Sequence, residues 1–155
     1  MYQRILVPID GSDASRQGLE QAMRLAKALG ARLRLLHVMN QRSWVSPGSP
    51  PDVLRSVADE LRGNAESLLH EAARSVRDRD IAVDTRLIEA PDAEAGDYIL
   101  SEARAWPAEL IVCGTHGRRG IRRVLMGSDA EYVLRHSEVP VLLVHGQGNA
   151  GAKPD

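Results

Sequence analysis

The capacity for chemistry in this 155-residue chain is concentrated in one stretch, Gly114-Thr115-His116-Gly117-Arg118-Arg119-Gly120-Ile121-Arg122-Arg123-Val124-Leu125-Met126-Gly127-Ser128. Glycine has no Cβ, so it adopts positive φ without strain and lets backbone N–H groups approach an anion closely. The stretch delivers the chain to Ser128, where a helix is expected to begin, and the free N–H groups and dipole of a helix N-terminus favour a phosphate. Arg118, Arg119, Arg122 and Arg123 fall within six positions and carry the charge-assisted donors that hold phosphate oxygens. A plainer account of the same residues stays open. Glycines after a strand are common in turns, Ser128 with Glu131 fits a capping box, and arginines are often simply solvated. A Walker loop is excluded, because Gly-Lys-Ser and Gly-Lys-Thr do not occur, and Gly-x-Gly-x-x-Gly is missing after the first strand.

Other reactive side chains are scattered. His37, His70, His116, His136 and His145 show no spacing that places a pair on one helix face with an acidic partner, so no metal site is expected. His116 alone lies in the glycine loop, where it would donate to a phosphate or point to water. Neither Ser12 nor Ser128 has a base supplied by spacing, and no catalytic residue is assigned. Cys113 sits in Leu110-Ile111-Val112-Cys113 and reads as a buried strand thiol. Trp44 follows the second strand and reads either as a lid or as a packed anchor.

The elements that must position the loop alternate. Ile5-Leu6-Val7-Pro8-Ile9 is a continuous apolar run ending at Asp10-Gly11-Ser12, as a strand buried on both faces would be. Leu19, Ala22, Met23, Ala26 and Leu29 then follow a helical period, with Ser12 or Asp13 as N-cap and Gly30 as the stop. A strand over Leu33 to Val38 precedes a long helix carrying Leu54, Val57, Leu61, Ala65, Leu68, Ala72 and Val76. Ile81, Val83, Thr85 and Leu87 alternate with polar residues, as in a sheet-edge strand. A helix over about Asp92 to Arg104, the strand Leu110 to Cys113, a helix over about Ser128 to Arg135 and the strand Val139 to Val144 complete the order. Five strands alternating with four helices call for a mostly parallel sheet covered on both faces. Ligands of such sheets sit beyond the carboxyl ends of the strands, which singles out the turns after strands one and four.

Length and composition fit one domain, residues 1–146, followed by a disordered tail over 147–155. A net charge of -1 gives no global attraction to nucleic acid or acidic membrane, and no aromatic residue lies among the loop arginines, so neither partner is expected. No apolar run approaches a membrane span. The chain enters its first strand without a basic leader, and a cytoplasmic location is expected.

Gly114, Gly117 and Gly127-Ser128, spaced as Gly-x2-Gly-x9-Gly-Ser, resemble the signature of the ATP-binding branch of the universal stress protein family. Ile5 to Ser12 is similar to that family's opening strand and turn, Leu36-His37-Val38 to its second strand, and Ala130 to His136 with Val139-Pro140-Val141-Leu142 to its ending. The likeness covers about residues 3 to 145 and implies a three-layer, Rossmann-like α/β fold with a five-stranded parallel sheet in the order 3-2-1-4-5. It further implies that Asp10 and Gly114 face one crevice, with Asp10 beside ribose and adenine and with Pro8 and Val38 lining the base. The backbone around Gly114, Gly117, Gly127 and Ser128 would hold the phosphates. Gly120, His116, Arg118 and Arg119 join the expected site through their place in the same loop. The implied ligand is ATP, or ADP or AMP, with Mg²⁺ held through the phosphates. The implied function is that of a nucleotide-binding stress-response regulator rather than an enzyme. A slow ATP hydrolase and an interaction module that binds no nucleotide are the alternatives. Asp129 departs from the pattern, since that position is usually apolar or hydroxyl-bearing, and it would set a carboxylate near the phosphates. The final strand, long and apolar, would lie at a sheet edge and pair two copies in a homodimer.

Overall fold

The structure is a computed structural model that describes residues 1–40, 46–91, 94–115 and 126–146. Strands β1 (Arg4–Pro8), β2 (Arg32–Asn40), β3 (Val83–Ala90), β4 (Leu110–Thr115) and β5 (Val141–His145) alternate with helices α1 (Asp13–Leu29), α2 (Pro51–Arg77), α3 (Ala95–Ala105) and α4 (Ser128–His136). All strand pairs are parallel, and the sheet order is β3-β2-β1-β4-β5. The expected sheet is therefore observed, and β1 is its switch point, flanked by β2 on one side and β4 on the other.

The period of two along each central strand divides the core into two layers. Ile5 and Val7 of β1, Leu33 and Leu35 of β2, and Val112 of β4 pack with Leu19, Met23 and Leu69 on the side of α1 and α2. Leu6, Leu36, Ile111 and Cys113 face the other way, against Ile99, Leu100 and Val133 on the side of α3 and α4. Both faces of β1 are thus apolar, which is why its sequence is a continuous run rather than an alternation. β3, at an edge, has exposed and half-buried positions from Val83 to Glu89 and buries only Ala90 at its end, as its polar alternation predicts.

Helix ends follow local chemistry. Ser12 is the N-cap of α1, its Oγ accepting from Ser15 N, and Gly30 closes the helix at φ 66°, a left-handed conformation that suits glycine. At α4 the capping box that Ser128 and Glu131 could have made does not form: Gly127 is the N-cap, no side chain caps the helix, and Ser128 is its first residue. β5 begins at Val141 rather than Val139, because Pro140 has no N–H to give the ladder, although its carbonyl accepts from Ile111 N at 3.0 Å. β3 runs from Val83 to Ala90, two residues later than its apolar alternation suggests, and α3 begins at Ala95 rather than near Asp92. Among the described residues no helix is long and apolar enough to cross a membrane.

Candidate functional site: a crevice between the ends of β1 and β4

The turn after β1 is held from several directions. Ile9 N donates to Leu36 O at 2.8 Å, and its carbonyl accepts from His37 Nδ1 at 2.7 Å, an arrangement that assigns the ring proton to Nδ1. Asp10 N then donates to the buried Ser15 Oγ at 3.1 Å, while Asp10 Oδ1 accepts from Ser12 N at 2.9 Å. Gly11 between them takes φ 80°, which a residue with a Cβ rarely adopts. Asp10 is thus an aspartate turn preceding the cap, and Oδ2 has no partner among the described residues.

Across the crevice, β4 ends against the first turn of α1. A Cβ built on Gly114 would stand 2.2 Å from Ala14 O, 2.3 Å from Ala14 C and 2.7 Å from Ser15 N, all main-chain atoms. Only glycine allows this approach, and it makes one wall of the crevice from backbone alone. The opposite wall comes from α3 and α4, which are fastened together: a Cβ on Gly96 would lie 2.6 Å from the Tyr132 ring, and Tyr132 OH donates to Asp97 Oδ1 at 2.5 Å. Ala95 and Ile99 of α3 and Asp129 and Ala130 of α4 reach the cavity from that side.

The cavity enclosed by these walls has a volume of about 130 Å³. Its apolar side is Pro8, Ile9, Leu36, Val38 and Ile99, and its polar side is Asp10, Ser12, Ser15, Gly114 and Asp129, with Cys113 at the boundary. A second cleft, of about 610 Å³, adjoins it through shared residues Asp10 and Val38 and runs under α2 past Met39, Leu61 and Leu68. An apolar slot beside a few converging polar groups, at the topological switch point of a parallel sheet, is the usual form of a small-molecule site.

Pro8, Asp10, Val38, Gly114 and Asp129, named from the sequence, therefore line one cavity. Gly127 and Ser128 stand at the start of α4, whose second residue Asp129 borders it. His116, Gly117, Arg118, Arg119 and Gly120 lie outside the described residues, as do Arg122, Arg123 and Trp44 and the tail over 147–155. Ser15, Ala95, Ile99 and Cys113 were not singled out as lining residues. For Ser15 the only signal is its position three residues after the cap, and for Ala95 and Ile99 it is their place on the apolar face of α3. Cys113 is buried, as its strand context suggests; burial, with the nearby Asp129 carboxylate adding to it, pushes its thiol up to about 12. It is therefore protonated at neutral pH and a poor nucleophile. Among the described residues no group of His, Cys, Asp and Glu side chains could hold a metal ion.

Beneath the same helix α3 lies a group of charges that the sequence reading missed. Arg34 of β2 donates to both carboxylate oxygens of Asp84, Nε to Oδ1 at 2.5 Å and Nη2 to Oδ2 at 3.1 Å, and through Nη1 to Glu102 Oε1 at 2.8 Å. Its guanidinium lies 4.6 Å from the centre of the Trp106 ring. Hydrogen bonding to Asp84 and then to Glu102 raises the Arg34 pKa further, against an opposing effect of burial. The available signal was an arginine inside the apolar strand Leu33-Arg34-Leu35-Leu36.

A profile of the universal stress protein family matches residues 1–145. A universal stress protein of Methanocaldococcus jannaschii is 30% identical over 145 residues, covering 93% of this chain and 82% of its own. One of Bacillus subtilis is 30% identical over 151 residues, covering 93% of this chain and 99% of its own. Among solved structures, a protein of this family from Burkholderia pseudomallei superposes with a TM-score of 0.74 at 32% identity, over 92% of this chain and 96% of the other. Two further structures share the fold at lower identity. A universal stress protein in complex with cAMP has a TM-score of 0.65 at 23% identity, over 94% and 98% of the two chains. An Arabidopsis thaliana member with AMP bound has 0.69 at 16%, over 99% and 96%.

Proposed function

The chain belongs to the universal stress protein family, and from that premise we propose that its crevice binds an adenine nucleotide, ATP foremost, and that occupancy is the signal a partner reads. The observation that carries this reading is the convergence of Pro8, Asp10, Val38 and Gly114 on one cavity at the switch point of the sheet. The apolar slot suits a base, with Pro8 and Val38 against it. Asp10, rigid in its turn and with Oδ2 unengaged among the described residues, suits a ribose hydroxyl. Two neighbours of the same fold, solved with cAMP and with AMP, support the adenine assignment. Phosphates would extend toward Gly127, Ser128 and the loop bearing Gly117, Arg118 and Arg119, with Mg²⁺ carried on the phosphates.

The test is to denature the purified protein, assay the supernatant for adenine nucleotide, and titrate the stripped protein with ATP and Mg²⁺. Saturable binding lost in Asp10→Ala is expected, and no binding at millimolar ATP overturns the reading. A turnover assay with the same variant separates binding from slow hydrolysis, since a contaminating ATPase survives the substitution.

We further propose that two copies pair through the final strand. β5 is at the sheet edge, and Leu142 is 39% exposed on it, a combination that invites a second chain. Light scattering at tens of micromolar is expected to report a dimer, and a monomer there counts against the pairing.

A further inference from the structure

The described part of the cavity is lined by two charged residues, and both are acidic, Asp10 and Asp129. They are not equivalent. Asp10 Oδ1 is engaged by Ser12 N, and the turn holds that carboxylate at the β1 end of the crevice. Asp129 is the second residue of α4, half-buried, and among the described residues it accepts no hydrogen bond and pairs with no cation. It stands close enough to the Cys113 thiol for its charge to be felt there. A helix N-terminus ordinarily offers an anion its free N–H groups and the positive end of the dipole. Here the helix carries its own anion at that end, on the side facing the cavity.

We propose that Asp129 is a specificity-determining residue that grades adenine ligands by the charge they bring to the α4 end of the crevice, weakening ATP free of Mg²⁺ far more than Mg²⁺-bound ATP, AMP or adenosine. This rests on the nucleotide reading above. A carboxylate a few ångströms from a phosphate, at a dielectric between water and protein interior, weakens binding by about tenfold or more. Adenosine brings no charge to that end and is indifferent to Asp129. Mg²⁺ on the triphosphate narrows the gap by neutralising part of what Asp129 faces, and salt narrows it by screening.

The experiment is calorimetric titration of the full chain with adenosine, AMP, ATP in a chelator and ATP with Mg²⁺, in the native chain, Asp129→Asn and Asp129→Ser. Asp52→Asn serves as a control that removes the same charge from the first turn of α2. The expected result is that both Asp129 variants bind chelator-treated ATP about tenfold or more tightly, bind AMP somewhat more tightly and bind adenosine unchanged, while Asp52→Asn behaves as the native chain. Equal ATP affinity in native and Asp129 variants overturns the proposal while leaving the nucleotide reading intact, provided that adenosine or AMP binds. A uniform gain for all the ligands also overturns it, because Asp129 would then act on the whole site. Absence of binding by any adenine compound in any form rejects the nucleotide reading itself, and the proposal with it. Thermal unfolding of each variant establishes that the comparison is between folded proteins. Should Asp129→Asn fail to fold, Asp129→Ser decides.

Discussion

Glu102 and Asp129 are carboxylates reached by the same α3/α4 face of the sheet, yet their settings are opposite. Glu102 is 8% exposed and receives Arg34 Nη1 at 2.8 Å, with Arg86 Nε 3.7 Å away. Asp129 is half-buried beside a cavity and has no cation among the described residues. A carboxylate withdrawn from water is costly unless it is paired, and Arg34 supplies the pairing under α3. A carboxylate with no cation among the described residues, at a cavity wall, presents its charge to whatever enters. The paired group is part of the architecture, and selectivity is the role proposed for Asp129.

The largest effect is expected from spoiling the wall of the cavity that Asp129 borders. Gly114→Ala forces a methyl into the Ala14 and Ser15 main chain, and we expect a loss of about 3 kcal/mol or more in urea unfolding, since backbone has nowhere to yield. Binding of every adenine ligand should fall with it. Next is Arg34→Met, which leaves Glu102 and Asp84 without their cation. A partner lost from a fully buried pair costs ~3–5 kcal/mol, and partial exposure of this cluster reduces the expectation to about 2 kcal/mol. The double variant Arg34→Met with Glu102→Gln should recover part of that loss in a double-mutant cycle. Because Ala95 and Ile99 share α3 with Glu102, Arg34→Met should weaken adenosine and ATP alike, unlike a change at Asp129. A selective effect on ATP would erase the distinction between the two carboxylates.

Smaller again is Ser12→Ala, which removes the cap of α1 and the residue whose N–H holds Asp10 keeps only its backbone role; about 1 kcal/mol is expected from chemical denaturation. The smallest effect at neutral pH concerns Cys113. Its folded pKa is raised to about 12 from an ordinary value near 9, so folding favours the protonated thiol. That contribution is fully present below about pH 9 and is lost as pH rises toward about 12. The native chain should therefore lose stability faster than Cys113→Ala between about pH 9 and pH 11 in urea titrations, with no difference in that slope at pH 7.

The order of strands and helices was legible because each element has a clean period: Leu19, Ala22, Met23 and Ala26 at helical spacing, and β1 as an unbroken run with both faces covered. Boundaries were less legible where one residue decides the hydrogen bonding, as Pro140 does for β5. Gly114 and Asp10 have local signals, glycine spacing and a short acid after a strand, whereas Pro8, Val38 and Asp129 were legible only through the resemblance to the universal stress protein family. Ser15, Ala95 and Ile99 were not legible, because lining a cavity depends on how α1 and α3 sit over the sheet. The Arg34 network was missed for a related reason. Arg34 and Glu102 are 68 positions apart, and only the parallel register of β2 with β3 and the placement of α3 bring Arg34, Asp84 and Glu102 together.

The contact of Gly114 with the main chain of Ala14 and Ser15 also bears on heredity. A wall built from backbone on both sides offers mutation no side chain to exchange, and almost any substitution at Gly114 damages the fold before it can alter a preference. The first turn of α4 is different, since a side chain at position 129 can change size or charge without entering the core. Lineages descending from such a protein could thus acquire new ligand preferences through α4 while inheriting the β4 wall unchanged.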